Sequence, residues 1–371
     1  MNIFELPNIN KEDELFKKNG LCGLQNLGNT CYLNSVLQCL RHNKYLYIYF
    51  KNNYYVKHLN KSSQVHFLLT AIWKQLLIDF WNNNDLVIQP TGFVSTFQKI
   101  CIATKNTELI GFNHKDAGEF LHSFLDGLHE ATKVNIPENH LKINGTVKNK
   151  MDQLMCDYSK YYIEHLEKKG ISPITVKYEG FTCSTLSNNI DAKLSNSFEP
   201  FLHVNLEVHG LSSGSDIEDA LDKFTEKEVL EDYMPETEEG KINPYTKDTE
   251  FTKQFSFLKL PEELTIILKR FQWNKFGKKE KINTRIEYPF ELDMTPYCTG
   301  YLNKNYKYEL YGVCVHFGTM NSGHYCSIVK DFNDRWIIYD DRNYKVISEE
   351  DIESTVINNN AYMLFYRAKK D

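Results

Sequence analysis

Residues 21–41 constrain the fold of this chain more than any other stretch. Leu-Cys-Gly-Leu-Gln-Asn-Leu-Gly-Asn-Thr-Cys-Tyr-Leu-Asn-Ser-Val-Leu-Gln-Cys-Leu-Arg reads as a glycine-bearing polar loop that runs into an amphipathic helix, with Cys31 at the joint. Leu33, Val36, Leu37 and Leu40 recur at i, i+3, i+4 and i+7, so the helix buries one face. Thr30 or Asn29 can cap its start. A thiol placed there meets the unpaired N–H groups and positive dipole end of the first turn, which favour thiolate over thiol. Gly23 and Gly28 let the loop backbone turn sharply and approach a ligand, and Asn26 offers a side-chain amide just upstream of the sulfur. The competing reading is a buried structural cysteine, the ordinary fate of an isolated thiol. The loop chemistry and the later blocks decide against it.

Residues 23–40, Gly-Leu-Gln-Asn-Leu-Gly-Asn-Thr-Cys-Tyr-Leu-Asn-Ser-Val-Leu-Gln-Cys-Leu, resemble the cysteine box of the ubiquitin-specific proteases, the papain-like deubiquitinases. A match of this length is far more specific than a short motif. Further blocks of that family follow in the same order to about Arg367.

Composition narrows the class. A chain of 371 residues can form one large lobed domain or two ordinary ones, and 13% aromatic with 25% charged residues marks it as globular. Lys+Arg 43 against Asp+Glu 49 gives a net charge of −6, which argues against a general nucleic-acid binder and suits a basic partner. Nine cysteines without a Cys-x-x-Cys pair fit a reducing compartment. The N-terminus carries acids early and has no continuous apolar core, so no signal peptide is expected, and no apolar run reaches the roughly 20 residues of a membrane span. An intracellular protein of cytoplasm or nucleus, off the membrane, is expected.

Beyond the cysteine helix, residues 41–62 show no clear period. Val65, Leu68, Leu69, Ile72 and Leu76 predict a helix over 63–80, and Phe93, Phe97, Ile100 and Cys101 predict the next. In residues 114–130, Ala117, Phe120, Leu121, Phe124, Leu125 and Leu128 form one helical stripe, with Asp116 and Glu119 on another face. A solvated acidic edge would explain that pair. The segment is, however, similar to the family's second box, and the resemblance implies that Asp116 and Glu119 engage the arginine-bearing tail of ubiquitin. His114 and Lys115 stand where the family usually has two glutamines, and Gly118 weakens the helix. Residues 133–150 read as loop and 151–168 as a helix carrying Leu154, Met155, Tyr158, Tyr162 and Leu166. From Ile174 onward strand patterns dominate, with Leu202, Val204, Leu206 and Val208 sharing a face. Loops are expected at 209–216 and 234–250.

In the family this middle section forms fingers that often end in a zinc site of two Cys-x-x-Cys pairs. Here Cys183 is followed by Leu186 at the second position, and Thr246-Lys-Asp-Thr249 stands for the later pair, so no structural zinc is expected. Residues 260–271 read as a turn and a strand buried on both faces. The resemblance puts Phe271 at the groove for the ubiquitin tail, and makes Lys275–Lys281 an exposed loop bordering the active site.

Tyr311–Phe317 alternates as a strand, residues 318–323 form a turn, and the sheet resumes at His324. Arg335-Trp-Ile-Ile-Tyr-Asp-Asp341 delivers two carboxylates at a strand end, within hairpin reach of that histidine. Cysteine, histidine and carboxylate are the parts of an activated thiol nucleophile. Gly-His-Tyr followed by Trp-x-x-Tyr-Asp-Asp is similar to the family's histidine box. The resemblance implies that His324 is the base, that Asp340 orients it, and that Asp341 matches a neighbouring assisting position. His316, inside a strand without an assigned carboxylate, is the weaker candidate.

The resemblance further implies thiol-dependent hydrolysis of the bond after ubiquitin's C-terminal glycine, with Asn26 and the Cys31 backbone N–H as oxyanion donors. A narrow channel bordered by Gly323, Tyr325 and Phe271 would admit the tail glycines. No cofactor is expected; the expected partners are ubiquitin and ubiquitinated proteins. Two alternatives stay open, a protease for a ubiquitin-like modifier and a non-catalytic ubiquitin-binding protein. The implied fold class is α+β, a papain-like right hand. After a lead-in at 1–20, the catalytic domain spans 21–371, with a helical thumb over about 21–170 and β-rich fingers and palm over about 171–371.

Overall fold

The computed structural model describes residue 4 and residues 13–61, 63–138, 141–189, 195–235, 245, 249–273, 277, 279–301, 305–319 and 322–369. Its helical part begins with α1 (Asp13–Lys18) and the short strand β1 (Gly23–Leu24), which leads into α2 (Cys31–Leu40). Every residue of α2 is buried. A helix surrounded on all sides must satisfy its polar side chains internally, and Gln38 does so by donating to the Cys22 carbonyl at 2.9 Å. Next comes α3 (Lys44–Lys51), in the stretch whose sequence showed no period. Tyr45 through Phe50 are all buried, so no polar face marks the repeat.

The predicted helices at 63–80 and 93–101 are present as α4 (Gln64–Asn82) and, after strand β2 (Val87–Ile88), α5 (Thr91–Ala103). The buried stripe of α4 is rotated from the expected one. Leu69, Trp73, Leu76, Leu77 and Phe80 face inward, while Leu68 is 51% exposed. Trp73 and Phe93 pack edge-on against Phe124 of α6 (Ala117–Thr132), which ties the three helices together.

The loop that follows leads to α7 (Lys150–Lys169) and then α8 (Pro173–Tyr178). Strand structure was expected from Ile174 but starts at Gly180. The cause is local: Ser172 Oγ accepts from Thr175 N at 3.2 Å and Thr175 Oγ1 accepts from Ser172 N at 2.9 Å. This reciprocal cap, with Pro173 in the first turn, nucleates helix where side-chain alternation alone suggests strand.

Four strands build the first sheet: β3 (Gly180–Asn188), β4 (Ser195–Phe201) and, beyond β5 (Val204–Glu207) and helix α9 (Ile217–Thr225), β6 (Glu228–Leu230) and β7 (Phe251–Lys259), in the order β4-β3-β7-β6. The chain continues through β8 (Glu263–Lys269), β9 (Phe271–Trp273), β10 (Lys279–Lys281), β11 (Glu291–Asp293), β12 (Lys307–Gly318), β13 (Gly323–Lys330), β14 (Trp336–Asp340), β15 (Asn343–Val346), α10 (Ile352–Val356) and β16 (Ala361–Ala368). The second sheet runs β15-β14-β13-β12-β16-β8-β5, with β11 also on β12. Leu202, Val204, Leu206 and Val208 are buried as expected, and β8 is buried on both faces. Helix α9 was not anticipated: only Ile217, Ala220 and Leu221 are buried, and a cap between Asp216 and Asp219 starts it.

The second sheet separates two cores. α2 packs on β12 and β13, joining the helical cluster to Tyr325, Val329 and Tyr339 on one face. On the other face Leu206, Ile266, Ile328 and Trp336 meet Ile217 and Val356. In the smaller sheet Cys183 lies beneath α7 among Leu154, Tyr158, Phe181, Phe198 and Leu258. That apolar setting, with Leu186 three residues on, does not fit a thiolate zinc centre. Thr246–Asp248 and most of 234–250 lie outside the described residues, as does Lys275–Lys281 apart from Gly277 and the strand β10.

Candidate active site

The loop before Cys31 is organised by one side chain. Asn26 Oδ1 accepts from Gly28 N at 3.0 Å and from Thr30 N at 3.1 Å, and a positive φ of 100° at Gly28 closes the turn. Thr30 holds the N-cap position of α2 without capping it; its hydroxyl instead accepts from Leu27 N at 2.9 Å. Gly23 serves a different purpose from the ligand approach expected of it. A Cβ there would stand 2.2 Å from the Arg342 carbonyl oxygen, so only glycine lets β1 lie against the chain beyond β14, where Leu24 N donates to the Asp341 carbonyl at 2.8 Å.

Cys31 is the first residue of α2, so its backbone N–H is among those an α-helix leaves without an intrahelical partner. His324 is the second residue of β13, and its Nε2 lies 2.6 Å from Asp340 Oδ1 at the end of β14. With Nε2 committed to the carboxylate, Nδ1 is the nitrogen left for a thiol. The His324 imidazole is pushed up to about 12, first by the Cys31 side chain, then by Cys326, and by Asp340 against the opposing effect of burial. Its charged form is therefore favoured beside the sulfur.

Asp341 adopts a left-handed φ of 48°, which turns its carboxylate away from Asp340 and toward the cysteine loop. Asp341 Oδ2 accepts from Asn26 Nδ2 at 2.9 Å and Oδ1 accepts from Asn34 Nδ2 at 2.8 Å. His324 Nε2 is 3.9 Å away. One N–H of the Asn26 amide is thus spent on orientation and the other is available to a substrate oxygen.

Next to His324 in sequence, Tyr325 lines a cavity of about 520 Å³ together with Asn29, Glu108, His114, Lys115, Asp116, Glu119, Phe271 and His316. Asp116, Glu119, Phe271 and Tyr325 thus share one groove. Gly323 sits at its edge, since a Cβ there would meet His316 Nε2 at 2.1 Å. The expected picture of Asp116 and Glu119 as a pair on one helix face needs correction. Asp116 caps α6: its Oδ1 accepts from Gly118 N at 2.7 Å and Glu119 N at 3.0 Å, and Oδ2 accepts from the Tyr362 hydroxyl at 2.6 Å. Of the two, only Glu119 is exposed. Gly118, read as a weakness, faces Ile267 at 2.8 Å from a would-be Cβ, where close packing favours its absence of a side chain.

Two residues beside the centre, Asn34 and Cys326, escaped the sequence reading, and a third, His316, was weighed there only as the weaker candidate base. Asn34 lies one turn after Cys31 on the same helix, a spacing that could have signalled it. Cys326 shares a strand face with His324 at the period of two. His316 lies across from Tyr325, its ring edge-on to Phe271. Burial, with Lys281 nearby, pushes His316 down to about 4, which suits a neutral groove wall and not a base.

The profile of the family described as ubiquitin carboxyl-terminal hydrolase matches residues 22–366. The chain is 30% identical over 356 residues to ubiquitin carboxyl-terminal hydrolase Usp2 of Drosophila melanogaster, covering 94% of this chain and 35% of that protein. It is 31% identical over 356 residues to ubiquitin carboxyl-terminal hydrolase 23 of Arabidopsis thaliana, covering 95% and 36%. The chain therefore spans about a third of the length of these curated relatives. Among solved structures, the SAGA Ubp8/Sgf11/Sus1/Sgf73 DUB module bound to ubiquitin aldehyde is similar at a TM-score of 0.71 and 25% identity, over 95% of this chain and 70% of that one. A yeast SAGA DUB module carrying an Sgf73 mutation gives a TM-score of 0.70 at 24% identity, over 95% and 69%.

Proposed function

The chain belongs to the ubiquitin carboxyl-terminal hydrolase family, and from that premise we propose that it is a thiol-dependent deubiquitinase cleaving the isopeptide or peptide bond after ubiquitin's C-terminal glycine. The observation that carries this reading is the 2.6 Å contact between His324 Nε2 and Asp340, which leaves the opposite ring nitrogen to the Cys31 sulfur. Cys31 transfers its proton to His324 and attacks the glycine carbonyl. The oxyanion that forms is met by the Asn26 amide, held by Asp341, and by the Cys31 backbone N–H. The imidazolium then protonates the departing amine, and water hydrolyses the thioester with His324 as base.

The groove lined by Phe271, His316 and Tyr325 takes the glycine tail, with Gly323 at its edge, and Glu119, with Asp116 behind it, attracts the arginines upstream. Work inside the cell, in cytoplasm or nucleus, is supported by nine free cysteines. No described helix is long and apolar enough to cross a membrane.

Ubiquitin carrying a C-terminal electrophile tests the reading. The chain should be labelled at Cys31, and Cys31→Ala should abolish labelling. Faster labelling by another modifier would assign the groove to that modifier, and no labelling at all would leave a binding protein without turnover.

A further inference from the structure

Cys326 has no part in the chemistry above, yet it lies against the catalytic pair. Ser327 pairs with Tyr339 across β13 and β14, so Cys326 stands opposite Asp340, and His324 is two residues along on the same face. The ligating atoms of His324, Cys326 and Asp340 all lie within 4.8 Å of one another, the one such cluster of three among the described residues. We infer that these three side chains form an inhibitory site for a borderline-soft divalent cation, Zn2+ above all, separate from the sulfur of Cys31.

The donor set supports that class of ion. Imidazole nitrogen, thiolate and one carboxylate oxygen are the ligands of four-coordinate zinc, at about 2.0–2.3 Å, with a fourth place left for water. Mg2+ and Ca2+ prefer shells of oxygen and gain little from a thiolate. The path in is open, because the His324 and Asp340 side chains are 40% and 50% exposed, whereas Cys326 is buried at the floor.

Binding replaces the hydrogen bond between His324 Nε2 and Asp340 by two metal bonds; the Cys326 proton passes to solvent, and the two protons that His324 and Cys31 share end one on Nδ1 and one on the Cys31 sulfur. An imidazole metallated at Nε2 and neutral overall carries its remaining proton on Nδ1. That nitrogen then has no lone pair to take the Cys31 proton, so the ion pair is lost and the nucleophile reverts to a thiol although the metal never touches it. The inhibitory consequence rests on the proposed function; metal binding itself does not.

The test uses the whole chain and the metal alone. Titration with Co2+, read as thiolate-to-metal charge-transfer absorption and reversed by Zn2+, should show one ion bound in the wild type and in Cys31→Ala. Cys326→Val should lose the band and weaken Zn2+ binding at least about tenfold, the loss common even for a partner outside the ligand set. Saturating Zn2+ should likewise slow iodoacetamide alkylation of Cys31 in the wild type and not in Cys326→Val. If Cys326→Val does not fold, Asp340→Asn should weaken binding while keeping the thiolate band. Unchanged binding in Cys326→Val or Asp340→Asn, or binding abolished by Cys31→Ala, overturns the site. A chain that binds cobalt through Cys326 but is never labelled by ubiquitin fails only as an enzyme.

Discussion

The Asn26 amide donates to the Asp341 carboxylate at 2.9 Å, joining the loop before Cys31 to the strand end that carries Asp340. The same carboxylate receives Asn34 Nδ2 at 2.8 Å from the cysteine helix. Asp341 therefore joins the two halves of the site, while Asp340 makes the 2.6 Å hydrogen bond to the His324 imidazole.

Asn26→Ala and Asp341→Ala should each lower kcat with little change in KM. A missing oxyanion donor typically costs about 2.7–4 kcal/mol of barrier. The double variant should cost scarcely more than the worse single one, since both remove the same oriented amide. Steady-state kinetics on a fluorogenic ubiquitin substrate measure this, and full additivity would break the link.

Asp340→Ala should move the alkaline limb of the Cys31 alkylation profile to lower pH. Asp340 is among the groups that raise the His324 pKa. A raised folded value keeps the imidazolium present until pH climbs past it, so removing a cause of the rise brings that limb down.

Glu119→Ala and Asp116→Ala should differ in kind. Glu119 is exposed and should raise KM for ubiquitin without altering the melting temperature. Asp116 also caps α6, so its loss should cost about 0.5–2 kcal/mol of stability besides. Parallel thermal melts and kinetics separate the two effects.

Gly323→Ala should nearly abolish ubiquitin labelling. Its methyl group would lie 2.1 Å from His316 Nε2 and 2.7 Å from the Phe317 carbonyl oxygen. One of these is backbone, so the turn before His324 must shift, with an overpacking cost of about 1–3 kcal/mol. Iodoacetamide reactivity of Cys31 that survives the change would trace the loss to the groove and not to the nucleophile.

Stability should fall as pH drops from about 6.5 toward 4, in part through His203. Burial, with His122 nearby, pushes His203 down to about 4. A histidine depressed in the folded state contributes fully above its ordinary pKa, and that contribution is lost as the unfolded chain takes up the proton first. His203→Leu should flatten the dependence of melting temperature on pH over this window, by at most about 3 kcal/mol.

Much of the centre was legible because local pattern carried it. The i, i+3, i+4, i+7 stripe placed the start of α2 at Cys31, and strand alternation placed His324 and Asp340 on neighbouring strands. Where burial ran all round, as in Tyr45–Phe50, periodicity vanished and α3 was invisible. Where a cap overrode side-chain preference, at Ser172 and Asp216, helix replaced expected strand or loop.

By itself, the sequence determined the chemistry available to this protein: a thiol at a helix start, an imidazole and two carboxylates at strand ends, and the order in which they occur. Only the tertiary structure decided which atoms meet, because register and packing, not composition, set distances between residues some three hundred positions apart. That is why Asp340 turned to His324 while Asp341, one residue on with a left-handed backbone, turned to Asn26. It is also why Cys326, unremarked in the linear text, came to lie beside His324.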